Sequence, residues 1–139
     1  MRVYLYFIGK ARDEHANAMA EEYLKRSSRF AKCEMREIHP VRFDVWAKHA
    51  SARIVLLDPA GKTLDSAGFT ALVDKSEQEA RDLVFVIGGH DGLPPEWKPR
   101  ATLLLGLSAL TMPHELARVM LAEQIYRALT TLRGHPYPR

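Results

Sequence analysis

The chain has 139 residues, 47% hydrophobic and 27% charged, which excludes a disordered tail and fits one globular domain over 1–139. A lone Cys33 excludes an internal disulfide and a cysteine-rich zinc site. The formal net charge is a mild +3 and no apolar run approaches the roughly 20 residues of a membrane span, so a soluble, cytoplasmic protein without metal or membrane contact is expected.

Val3 to Ile8 is rich in β-formers and stops at Gly9, which predicts a first strand. Its apolar start is too short and too aromatic for a signal peptide. Asp13 to Phe30 places Ala16, Met19, Ala20, Tyr23, Leu24 and Phe30 near helical spacing, an amphipathic helix. Glu34 to His39 reads as a short strand stopped by Pro40, and Val41 to Ala52 as a short helix. Arg53 to Asp58 is an apolar strand that Pro59-Ala60-Gly61 should end. Asp65 or Ser66 caps a helix running through Phe69, Leu72 and Val73 to Ala80. Leu83 to Ile87 is the clearest strand, because an unbroken apolar run implies cover on both faces. Thr102 to Gly106 is a further strand, and Pro113 suits the first turn of a last helix from His114 to Arg133.

Strands alternating with helices predict an α/β fold with a parallel sheet and helices on both faces. The last helix is apolar on two sides. Leu121, Ile125, Ala128 and Leu132 form one stripe that can pack on the sheet. Leu116, Val119 and Met120 form another, and a second subunit is a natural cover for it. Charge is uneven along the chain. Lys25 to Arg53 holds eight bases against three acids, and Asp58 to Asp82 holds six acids against three bases. Such a division can turn a basic face toward a polyanion.

Two loops carry the chemistry. Ile87-Gly88-Gly89-His90-Asp91-Gly92 follows the strongest strand, where glycines let the backbone approach a ligand at the carboxyl end of a sheet. The spacing is neither a dinucleotide fingerprint nor a P-loop. Leu107-Ser108-Ala109-Leu110-Thr111-Met112-Pro113 joins a buried strand to a helix with small and apolar residues. Its backbone can meet a purine edge and its side chains can enclose an apolar ring, with no charge for a phosphate. Gly106-Leu107-Ser108-Ala109-Leu110 lacks the last glycine of a nucleophile elbow, and His114-Glu115 lacks the second histidine of a zincin. The terminus from Arg133 to Arg139 is stiffened by two prolines and rich in Arg, His and Tyr, which can stack on and grip RNA.

Val86 to Gly92, then Leu107 to His114, then Arg118 to Ala128, then His135-Pro136-Tyr137 together resemble the RlmH family. These are small SPOUT-class enzymes that methylate N3 of a pseudouridine in large-subunit ribosomal RNA. The start, Tyr6 to Lys10 followed by Glu22 to Arg26, is similar too, so the resemblance runs along most of the chain. It implies a SPOUT-type parallel sheet with a C-terminal trefoil knot, an obligate homodimer and the ribosome as partner. It implies S-adenosylmethionine held by Leu57, Gly88 and the run Leu107, Ser108, Ala109, Leu110, Thr111 and Met112. It also implies a composite site where one subunit's tail meets the other's cofactor.

The catalytic candidates follow from the chemistry of a protonated ring nitrogen, which is a poor nucleophile until its proton leaves. His114 and His135 are candidate bases, since histidine titrates near neutrality. Arg127, Arg133 and Arg139 can stabilise the anion or hold phosphate, and Tyr137 can stack on the base. Three departures from the family stand out: a short segment between Pro40 and Arg53, His90-Asp91 in the glycine loop, and Pro138 where a histidine is usual. They motivate an alternative, a family member that binds cofactor or ribosome without turnover. Plain pattern leaves a third reading, a small nucleotide-binding enzyme with another substrate.

Overall fold

The computed structural model describes residues 1–138. Its elements are β1 (Val3–Ile8), α1 (Glu14–Ser27), β2 (Cys33–Ile38), α2 (Val45–Lys48), β3 (Arg53–Thr63), α3 (Ser66–Gln78), β4 (Leu83–Ile87), a 3-10 helix (Pro95–Arg100), β5 (Leu103–Gly106) and α4 (His114–Leu132). Local chemistry sets the helix starts. Asp13 accepts from the N–H of Ala16, Asp44 from those of Trp46 and Ala47, and Asp65 from that of Gly68. Pro113 precedes α4, where its missing N–H costs nothing.

The five strands are parallel in the order β2-β1-β4-β3-β5. Central β4 is buried at every residue, as its unbroken apolar run requires. Alternate side chains split the core in two. Val3, Leu5, Phe7, Val55, Leu83, Phe85 and Ile87 face α1, α3 and α4. Tyr6, Ile54, Leu56, Val84 and Val86 face α2 and the 3-10 helix through Val45 and Trp97. Both faces thus have helical cover, but three long helices lie on one and two short pieces on the other.

Four expectations need correction. The segment after Pro40 holds a single helical turn, Val45–Lys48, because Asp44 caps it late and His49 ends it. α1 stops at Ser27, short of Phe30. β3 does not stop at Asp58; it continues through Pro59 to Thr63, with a register shift against β5 between Leu57 and Lys62. Proline is tolerated at such a bulge, and Gly61 lies so close that a Cβ there would come 2.6 Å from the carbonyl oxygen of Leu104. The 3-10 helix was not expected, because Pro94-Pro95 and Pro99 break every periodic pattern.

The chain leaves β1 toward β2 on one side and β4 toward β5 on the other. Such a reversal opens a crevice at the carboxyl ends of the strands.

Candidate active site

A cavity of about 430 Å³ lies at the carboxyl ends of β3, β4 and β5, to one side of that reversal. Leu57, Asp58 and Pro59 from β3 form one wall, Ile87 to His90 with Gly92 and Leu93 the floor, and Leu107, Ser108 and Leu110 to His114 with Ala117 the other wall. The floor is a folded-back loop. Gly92 has φ +75°, its N–H donates to the carbonyl of Gly89, and a Cβ on Gly88 would fall 2.6 Å from the carbonyl carbon of Gly92. The wall after β5 is held by the Ser108 hydroxyl, which accepts the N–H of Leu110 at 3.0 Å. Leu110 is 79% exposed at the mouth, a large apolar group without a protein partner.

The cavity's charge is already balanced. Lys98 lies 3.2 Å from Asp58, and the Asp58 carboxylate also accepts the N–H of Ala60 at 2.9 Å. The Ala60 N–H foremost, and Lys98 with it, hold the Asp58 carboxyl below its ordinary value. With Lys98 and Asp58 paired, the lining offers aliphatic walls and backbone groups and no net charge. That set fits a nucleoside without phosphates, and it leaves a polyphosphate uncompensated. Among the described residues no group of His, Cys, Asp and Glu could hold a metal ion.

The start of α4 is anchored to the loop after β1. Glu115 accepts the backbone N–H groups of Arg12 and Asp13, each at 2.6 Å. Behind it Arg118 is fully buried, lying 3.9 Å over the Phe7 ring and donating to Asn17 at 2.9 Å.

A second constellation forms at the other end of α4. The Tyr137 phenol donates to Glu123 at 2.8 Å, and Arg127 donates to the same carboxylate through Nε and Nη2. Burial foremost, and the hydrogen bond to Glu123 next, raise the Tyr137 phenol above its ordinary value. His135 packs edge-on to Phe30, and its Nδ1 accepts the N–H of Tyr137 at 3.2 Å. A neutral ring that accepts at Nδ1 carries its proton on Nε2, so His135 presents a donor. Arg133 is taken up by Glu77.

The structure therefore divides the sequence-derived site. Leu57, Gly88, Leu107, Ser108, Leu110, Thr111, Met112 and His114 line the cavity together. Ala109 does not line it and is exposed on the outer side of the loop. Arg127, His135 and Tyr137 lie elsewhere, and Arg139 lies outside the described residues. From His114 to Arg127 the helix rises roughly 20 Å at 1.5 Å per residue. Sequence reasoning missed Lys98, which sits in the unforeseen 3-10 helix. It also missed Glu123, although its i,i+4 spacing to Arg127 was a usable signal.

A family model described as a predicted SPOUT methyltransferase matches residues 1–138. The ribosomal RNA large subunit methyltransferase H of Solibacter usitatus is 65% identical over 139 residues, all of both chains. The protein of the same name from Nitrosospira multiformis is 36% identical over 155 aligned positions, covering 100% of this chain and 99% of that one. The short segment after Pro40 thus recurs in a relative of matching length. Among solved structures, an AdoMet-bound rRNA methyltransferase from Sinorhizobium meliloti superposes with a TM-score of 0.55 at 14% identity, over 91% of this chain and 56% of that one. At that identity the likeness speaks for the fold alone.

Proposed function

This chain belongs to the SPOUT methyltransferase family, and on that premise we propose that it methylates N3 of a pseudouridine in large-subunit ribosomal RNA with S-adenosylmethionine as donor. The observation that carries this reading is the phosphate-free, aliphatic cavity beside the glycine floor, in a chain matched end to end by a ribosomal RNA methyltransferase. Leu57, Leu107, Leu110 and Met112 would enclose the adenine, and Asp58, paired with Lys98, is the one lining carboxylate that can accept from a ribose hydroxyl. When bound, the donor supplies an electrophilic methyl group on a sulfonium.

The chain's own residues do the rest. The cavity excludes water, and the terminus orients the base. His114 stands at the cavity and accepts the ring proton. The Nε2–H of His135 and the outer edge of Arg127 stabilise the anion left on the nucleobase, and Tyr137 stacks beside it. The roughly 20 Å between the cavity and this cluster within one protomer is bridged by a homodimer, in which one subunit's tail reaches the other's cavity. Leu116 and Met120, about half exposed between the two sites on α4, would be covered by that contact. A trefoil knot through the loop after β5 and work on the ribosome in the cytoplasm belong to the same reading.

The test is methyl transfer to large ribosomal subunits lacking the modification, followed by mass mapping of the RNA. Transfer to one pseudouridine is expected, with His114→Ala losing most of kcat and keeping donor affinity. Donor binding without transfer to any ribosomal RNA would overturn the reading. It would favour the non-catalytic family member that Pro138, in place of a histidine, motivates.

A further inference from the structure

One face of the molecule interleaves cations with aromatic rings and takes no part in the cavity. It is built from the end of α1, the end of α4 and the tail. Tyr23 lies 6.0 Å from Tyr126, and Tyr126 lies 4.5 Å from Tyr137, measured between ring centres. Arg26 sits over Tyr23 at 5.8 Å and Arg127 over Tyr137 at 5.5 Å, so a guanidinium closes each end of the row. A second row runs from Arg29, 6.0 Å over Phe30, to His135, whose ring stands 5.9 Å from Phe30. The two rows meet in the tail, where the N–H of Tyr137 donates to Nδ1 of His135 at 3.2 Å, and Arg133 donates to the carbonyl of Phe30 at 3.3 Å.

The cations of this face fall into two sets. Arg26, Arg127 and Arg133 are paired with Glu22, Glu123 and Glu77. Lys25, Arg29 and Lys32 are exposed and form no ion pair among the described residues. The dipole of α1 accounts for a cation at Lys25. It does not account for Arg29 and Lys32, which lie beyond the helix end at Ser27. Arg29, over the ring on which His135 packs, therefore stands beside the terminus that the proposed reaction brings to the nucleobase, with the uncompensated Lys25 and Lys32 within four residues of it in the chain. A nucleotide inside an RNA chain arrives with phosphates on both sides, so the surface next to that terminus meets a polyanion.

We propose that Lys25, Arg29 and Lys32, on the cation-and-ring face beside the tail, grip the phosphate backbone of the RNA flanking the target nucleotide. The inference rests on the ribosomal RNA methyltransferase reading and adds to it a docking surface outside the reaction centre. Phosphate contacts fix register and orientation without reading sequence, and the half-buried ring of Tyr23 can support a neighbouring base.

The experiment compares wild type with Lys25→Ala/Arg29→Ala/Lys32→Ala on large ribosomal subunits across a salt series. All three positions are exposed, so the fold is expected to stand. The logarithmic salt slope should become shallower by about 0.7 to 0.9 per cation removed, and KM for the subunits should rise about tenfold or more. Donor affinity by calorimetry and kcat at saturation should be unchanged. Arg42→Ala/Lys48→Ala, which removes cations beside α2 on the other face of the sheet, should change the slope far less per charge. A triple variant with wild-type slope and KM, or equal losses per charge in the two variants, overturns the proposal. So does a defect seen on whole subunits and absent on protein-free ribosomal RNA, which would assign the face to a ribosomal protein. Failure of the wild type to methylate any ribosomal RNA is a separate outcome and sinks the underlying reading.

Discussion

A single methyl group tests the floor of the cavity. In Gly88→Ala the added Cβ would sit 2.6 Å from the carbonyl carbon of Gly92 and 2.9 Å from the N of Leu93, both backbone atoms that cannot swing aside. The loop must shift, at about 1–3 kcal/mol of strain. Calorimetry should show donor affinity reduced at least tenfold while the melting transition stays cooperative. Retained affinity would mean that the floor is not where the donor lies. The same scale separates the two histidines that the sequence offers as bases. His135 has its Nδ1 lone pair engaged by the N–H of Tyr137, whereas His114 faces the cavity. No spacing rule reports which ring nitrogen is taken, because the bond closes only when the tail folds back on itself.

Among the elements, the first turn of α4 is held by charge as well as by packing. Glu115 clamps the loop after β1, and the N–H of Arg12 foremost, with that of Asp13, keeps its carboxyl below the ordinary value. A carboxyl lowered on folding adds stability that is fully present above its unfolded value of about 4.3. That contribution is lost as pH falls through the lower folded value. Glu115→Gln should therefore be less stable than wild type at pH 7 by denaturant titration, with the difference closing toward pH 3. A constant difference across that range would remove the clamp from the account. The helices and strands themselves were largely legible. β4 declared itself by an unbroken apolar run, and α1 and α3 by Asp13 and Asp65 at their starts, whereas the cap at Asp44 went unread and the helix expected from Val41 shrank to one turn. The 3-10 helix and the extension of β3 past Pro59 were not, because proline reads locally as a stop. Pairing with β5 across a bulge is a tertiary fact. The glycine floor and the loop after β5 were legible from composition and their place after strands; Lys98 was hidden because it acts through Asp58 in three dimensions, and of the Glu123 contacts only the one to Tyr137 was, its spacing to Arg127 being local.

At the scale of the whole molecule, α4 keeps one apolar stripe that its own protomer leaves half uncovered. Leu116 and Met120 are 48% and 42% exposed on the stripe between the cavity and the Glu123 cluster. Met120→Glu, at a site already half in water, should leave the protomer folded and its donor affinity intact. It should convert a dimer to a monomer by sedimentation and lower methyl transfer at least tenfold, since a charge buried without a partner is strongly unfavourable at an interface. An unchanged sedimentation coefficient would place the contact elsewhere. α4 is one continuous rod with the cavity lip at its first turn and the Glu123 cluster near its last. In a pair joined as proposed, each rod lends its two ends to different reaction centres. At donor concentrations too low to load Gly88→Ala, two inactive proteins can then heal each other: mixed Gly88→Ala and Arg127→Ala protomers would assemble one centre bearing both lesions and one bearing neither. The mixture should regain up to a quarter of normal turnover, since about half of randomly formed pairs are mixed and each has one good centre.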